Sequence, residues 1–199
     1  MNTKSLSLIA FLLAAMASSV PAADYHLNLD PDSTRIHWVL GDVLHTVHGT
    51  FRLRSGEIAF DNNTGKASGM VIVDAVSGES GSNARDGRMH RNVLESAKYP
   101  EATFAPDQIE GTVTLTGTSH VKLHGTFTIH GSAHEIVVPV QVTAGGDKLD
   151  AKLKFEVPFV AWGMKDPSTL LLRVSKLVEV EMESTGHFAP AGGTASQSH

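Results

Sequence analysis

The stretch HVKLHGTFTIHG, residues 120–131, alternates polar and apolar side chains along its whole length. Val121, Leu123, Phe127 and Ile129 share one parity with Gly125, while His120, Lys122, His124, Thr126, Thr128 and His130 take the other. A period of two is the mark of a strand with one buried and one wet face. Two readings compete for the histidines: ligands of a metal site, or polar residues on an outer wall. A metal site needs imidazoles converging from neighbouring strands. Alternation alone accounts for a wall, and the same reading covers His45, His48 and His134. No metal is therefore assigned.

The same alternation recurs outward from this stretch. It begins at Arg35, Ile36, His37 and Trp38. It continues in 47–53, where Gly49, Phe51 and Leu53 alternate with His48, Thr50 and Arg52, and again in 109–115, 136–142, 149–157 and 170–182. The apolar parity switches from odd to even around Ser55 and Gly56, which predicts a β-bulge or bend there. Turn-forming runs separate the segments: 61–65 (DNNTG), Gly131 with Ser132, and 145–147 (GGD). About eight or more strands joined by short turns argue for an antiparallel meander rather than a parallel sheet with crossover helices. One segment departs from the rule. Residues 83–97 place Met89, Val93 and Leu94 on a helical face, with Asn83 as N-cap, Asp86 three residues on, and Tyr99 and Pro100 as the stop.

With 199 residues the chain suits one domain with a substantial core. Residues 1–22 read as a cleaved signal peptide: Lys4 supplies the positive start, 6–17 the apolar run, and Val20, Pro21 and Ala22 the cleavage site. A membrane-spanning helix needs about 20 apolar residues, more than this run offers. Export to the periplasm follows as an expectation, with a barrel domain over 23–186 and a disordered tail over 187–199. Cysteine is absent, so neither disulfides nor a lipid-modified cysteine is available. A formal net charge of −5 gives no support to nucleic acid or anionic membrane surfaces as partners. Stable membrane insertion is not expected, and pairing of two barrels is left open.

One-faced strands must hide their apolar sides by stacking two sheets or by closing one. Closure also removes exposed edges. Gly49, Gly69, Gly111, Gly117 and Gly125 all fall on the apolar parity. They either bend strands at barrel corners or leave room inside for a ligand, and a barrel of about eight strands is just wide enough for one small molecule.

The segments SGMVIVDAVSGESGSNARDGRMHRNVLESAKYPEATF (68–104) and GTFTIHGSAHEIVVPV (125–140) closely resemble the YceI-like family of exported bacterial polyisoprenoid-binding proteins. Arg85 and Asp86, the helix, Lys98, Tyr99 and Pro100, and Thr103 with Phe104 stand in the family's order, and the resemblance runs from about residue 32 to 186. It implies an all-β fold, an extended antiparallel β-barrel of about eight strands and lipocalin-like shape, with one short α-helix and an apolar interior cavity. It implies an isoprenoid lipid as ligand, ubiquinone-like or polyprenyl, and neither catalysis nor a required cofactor. Where many members carry an Arg followed by a Phe-Gly pair, this chain has Ala161, Trp162, Gly163 and Met164, so the resemblance leaves the head group open.

Parity and the resemblance together place Trp38, Phe51, Val71, Val73 and Phe104 on the inner wall, and likewise Leu115, Phe127, Ile129, Leu153 and Phe155. Met89 is a candidate for closing one end, because methionine adapts to irregular apolar surfaces. Trp162 is a candidate at the mouth. Arg85 is either a head-group contact or a charge that anchors the helix through a salt bridge.

Each buried CH₂ contributes about 0.8 kcal/mol, so two or three isoprene units supply roughly 8 to 12 kcal/mol before the loss of ligand freedom. An isoprenoid site therefore needs no polar motif. The motifs of enzymes are absent: there is no G-x-S-x-G, no phosphate-binding loop, no H-E-x-x-H and no cysteine nucleophile. The competing reading is a stress-protective or protein-interaction barrel filled by its own side chains, with weak metal capture by histidines.

Overall fold

In the computed structural model, which describes residues 25–41, 46–169 and 173–190, the alternating segments form nine antiparallel strands. They are β1 (Tyr25–Leu29), β2 (Arg35–Gly41), β3 (Thr46–Phe60), β4 (Ala67–Glu79), β5 (Glu101–Glu110), β6 (Gly117–Ile129), β7 (Ser132–Gly145), β8 (Lys148–Val157) and β9 (Val178–Pro190). The helix α1 (Asn83–Arg88) lies between β4 and β5 and runs into a π-helical turn, Met89–Val93. The order β3-β2-β9-β8-β7-β6-β5-β4 closes on itself because β3 also pairs with β4. Strands β1 and β2 share one position between β3 and β9. β1 pairs with 56–60 and 186–190, and β2 with 46–51 and 179–183.

Eight staves thus close a barrel of the lipocalin-like kind, as expected. The break in the shared stave is made by Asp30, whose carboxylate accepts the backbone N–H of Asp32 at 3.0 Å and the hydroxyl of Ser33 at 2.6 Å. The Ser33 hydroxyl, foremost, holds the Asp30 carboxyl below its ordinary range. This turn lets two short strands with inward Leu27, Leu29, Ile36 and Trp38 do the work of one.

The parity switch in β3 is a bulge. Its register against β4 shifts between Leu53 and Ser55, so Leu53 and then Gly56, Ile58 and Phe60 all face inward. Along β6 and β7 the inward set is Val121, Leu123 and Phe127 facing Val140, Val138 and His134, and Ile129 closes it opposite the exposed Ser132. Outward positions carry cross-strand ion pairs, such as Lys152 with Glu183 at 2.7 Å and Lys122 with Glu110 at 2.8 Å. Such exposed pairs add little to stability and keep the outer wall wet.

Three expectations are corrected. The alternation in 109–115 does not continue as a strand: β5 stops at Glu110, Gly111 takes φ 111°, and Asn62 pins Val113 by hydrogen bonds in both directions. Leu115 therefore lies in a turn, 46% exposed. The last strand starts at Val178 rather than near 170, and it runs to Pro190, pairing with β1, so the tail expected to be disordered from 187 is strand as far as 190. Its partner β1 lies more than 150 residues away in sequence, out of reach of a local reading. The helix is shorter than 83–97. Its N-cap is Ser82, and α1 gives way to the π turn where Leu94 N–H reaches Met89 O at 2.9 Å. The signal peptide and 191–199 lie outside the described residues.

Candidate functional site

The inward faces of the strands enclose a cavity of about 760 Å³. At one end Phe60 lines the cavity and is packed by aromatic contacts: Tyr25 stacks on Phe60 with ring centroids 5.3 Å apart and meets Phe188 edge-on at 6.2 Å. The other end is framed by α1, the π turn and the segment after β8. Aromatic and aliphatic side chains dominate the wall between.

All the expected lining residues reach this cavity except Leu115 and Trp162. Leu115 fails because its strand has already ended. Trp162 sits in the turn after β8, with its N–H donating to Pro158 O at 3.0 Å. Its indole stacks on His134 at 4.1 Å and 7° and approaches Phe127 at 5.9 Å, so it packs into the apolar cluster around Phe159 and Met164 without lining the cavity. Met89 does line the cavity, together with Val93 and Leu94. Arg85 also reaches it, and anchors the helix with no salt bridge among the described residues: Nε donates to Ser80 Oγ at 2.8 Å and Nη2 to Ser80 O at 3.3 Å.

None of the five glycines expected on the inner face lines the cavity, and Gly69, Gly111 and Gly117 are exposed. A Cβ on Gly49 would lie 2.2 Å from the Trp38 ring and 2.3 Å from Glu79 O, and one on Gly125 would lie 2.3 Å from Ala105 O and 2.8 Å from Phe104. These two glycines let aromatic rings and neighbouring backbone lie flat against the wall, and do not themselves provide the room. Gly69 and Gly111 have φ of 120° and 111° and serve the backbone.

Several mouth residues carried no sequence signal. Phe159 and Met164, 4% and 3% exposed, form a second apolar cluster with Val157, against which Val93, Leu94, Phe127 and Ile129 pack. They lie in a segment without period, so no pattern marks them. Arg88, Asn92 and Lys165 also reach the cavity. His90 ties the π turn to the barrel: Gly78 O accepts from its Nε2 at 2.8 Å, which leaves Nδ1 to accept from the buried Ser96 hydroxyl at 2.9 Å.

The histidines of the opening stretch divide. His120 and His124 are on the outer wall, the latter 3.4 Å from Glu110. His130 is not a wetted wall residue. It sits in the β6–β7 turn at φ 52°, its side chain 15% exposed, with Nε2 donating to Glu95 Oε2 at 2.6 Å and Tyr99 at 4.6 Å between ring centroids. Glu95 is itself at φ 46°. Two non-glycine residues in the left-handed region are thus joined to each other, latching the segment after the π turn onto the rim. Among the described residues no group of three His, Asp or Glu side chains is arranged to hold a metal ion.

Removing the latch has an expected result. In Glu95→Ala, amide exchange across 83–99 rises about threefold while the barrel strands keep their protection, since a partly exposed pair contributes roughly 0.2 to 1 kcal/mol. Hydrogen exchange with mass-spectrometric readout checks this, and an unchanged rate would show that packing alone holds the segment.

Comparison with known proteins places this architecture. No curated protein sequence matches the chain significantly. Among solved structures, Burkholderia cenocepacia BcnA is similar with a TM-score of 0.66 and 20% identity, over 79% of this chain and 98% of that one. A polyisoprenoid-binding domain from Saccharophagus degradans, implicated in plant cell wall breakdown, gives a TM-score of 0.64 and 17% identity, over 83% and 98%. The Campylobacter jejuni YCEI protein gives 0.58 and 19%, over 75% and 88%. At these identities the likeness is one of fold. The sequence profile of the YceI-like domain matches residues 27–185, from within β1 to within β9. This chain belongs to the YceI-like domain family.

Proposed function

We propose that this protein is a binding or carrier protein that holds a long isoprenoid lipid, ubiquinone-like or polyprenyl, in the barrel interior, and that it works in the periplasm after removal of residues 1–22. The observation that carries this reading is the cavity of about 760 Å³, apolar from its aromatic floor to its mouth. Its volume falls in the range of about 300 to 1,000 Å³ found for small-molecule sites. An apolar chain buried there contributes about 0.8 kcal/mol per CH₂ without any polar recognition, which suits a hydrocarbon tail and suits few polar substrates. The family membership and the polyisoprenoid-binding structural neighbour support the same ligand class. They also favour binding over catalysis.

Native mass spectrometry of the protein purified from its own envelope, followed by solvent extraction, tests the reading. A stoichiometric isoprenoid in the extract is the expected result. A protein that carries none, and takes up neither quinones nor polyprenyl lipids on titration, would overturn it.

A further inference from the structure

The charged residues that line the cavity are Arg85, Arg88, Lys165 and Asp166. All belong to its mouth: the arginines to α1, the other two to the segment after β8. The chain as a whole carries −5, so a local excess of cations is not inherited from its composition. Arg85 is hydrogen-bonded to Ser80, a neutral partner. The Arg88 and Lys165 side chains are exposed and enter no ion pair among the described residues. The acids nearby are engaged. Asp86 accepts from the Ser80 hydroxyl, and Asp166 accepts the Ser168 N–H at 2.9 Å. Hydrogen bonds from Ser168, with Lys176 nearby, hold the Asp166 carboxyl below its ordinary range. Three cations and one engaged carboxylate, Asp166, therefore line the rim of an apolar container, with the engaged Asp86 beside them in α1. Asn92 and Ser168 stand beside them as neutral polar groups.

We propose that this mouth selects an anionic head group, a phosphate ester at the end of an apolar chain, over a neutral alcohol or quinone carrying the same chain. The inference rests on the lipid-container reading above and adds the chemistry of the ligand's polar end. A guanidinium binds a phosphate through two parallel N–H donors, and an ammonium adds a point charge. An alcohol or quinone oxygen offers these cations no charge to meet. The arginine stems can lie along the apolar wall while their heads stay in water, where an amphiphile's head group also sits. Because the cations are exposed, salt screens them, and the discrimination is moderate.

The test titrates the delipidated full-length mature protein with three probes of one chain length, a polyprenyl monophosphate, the matching polyprenol and a quinone, and separately with inorganic phosphate. The wild type is expected to bind the monophosphate about tenfold more tightly than the polyprenol at low salt, with the ratio shrinking as salt rises. Arg88→Gln combined with Lys165→Met, which remove charge and keep the side-chain stems, should shrink that ratio several-fold, Arg85 remaining, and should weaken the monophosphate far more than the polyprenol. Arg91→Ala, a cation of the same helical segment that packs over Gly87 and does not line the cavity, should preserve the ratio. Equal binding of monophosphate and polyprenol by the wild type overturns the head-group inference and leaves the container intact. The inference also fails if Arg91→Ala shrinks the ratio as much as the double variant, which would point to a general field, or if inorganic phosphate binds as tightly as the lipid. Failure of all three lipids to bind overturns the container reading itself.

Discussion

Ala102→Trp is expected to cut the amount of bound lipid at least tenfold while the barrel stays folded. Ala102 is 8% exposed, lines the cavity and pairs across β4–β5 with Val73, another lining residue. A side chain enlarged at this position has the cavity to grow into, so an indole takes up space that the lipid chain would fill. The strain that usually follows overpacking is absent where a void receives the added atoms, so stability should change by less than about 1.5 kcal/mol. Thermal unfolding together with lipid extraction separates the two effects. Full lipid content in a folded Ala102→Trp protein would show that the chain does not pass this point. Leu115→Ala serves as the control: it was an expected lining residue, lies 46% exposed outside the cavity, and should alter neither property.

Gly49→Ala should be among the most damaging small substitutions in the barrel. The added methyl would stand 2.2 Å from the Trp38 ring and 2.3 Å from the carbonyl oxygen of Glu79. The ring is 5% exposed and packed beside Phe51 at 6.5 Å between centroids, and the carbonyl is backbone, so neither yields cheaply. A cost of about 3 kcal/mol is expected from overpacking of this kind. At roughly 2 to 4 °C per kcal/mol for a chain of this size, the melting temperature falls by about 6 to 12 °C, with Trp38 moved out of place and its fluorescence shifted. Gly145→Ala is the matched control, since its Cβ would meet nothing within 4 Å. Equal melting temperatures for the two variants would mean that Trp38 can move aside without loss.

Much of this architecture was legible before the structure. The alternation of Val121, Leu123, Phe127 and Ile129 with polar residues reports the solvent on each side of one strand, a property that each residue expresses where it stands. The bulge in β3 was legible for the same reason, as a change of parity after Leu53. Most of the expected lining follows from that parity. Errors arose where a residue's role depends on another element. Leu115 keeps the period of β5 after the strand has stopped, because Asn62, far away in sequence, holds the chain in a turn there. His130 has the parity of an outer-wall residue, yet Glu95 and Tyr99 arrive from the helical segment and draw it into the rim. Gly125 reads as room for a ligand, and is where the ring of Phe104 lies.

By itself, then, the sequence determined that this chain forms one-faced antiparallel strands with a single helical interruption, because hydrophobic periodicity and turn chemistry act over a few residues. Only the tertiary structure decided which strands close the barrel, where the cavity stops, and which charges gather at its mouth. Those depend on contacts between segments such as the π turn, through Val93 and Leu94, and the region around Phe159 and Met164, four strands apart in sequence, and no local pattern encodes the distance between them.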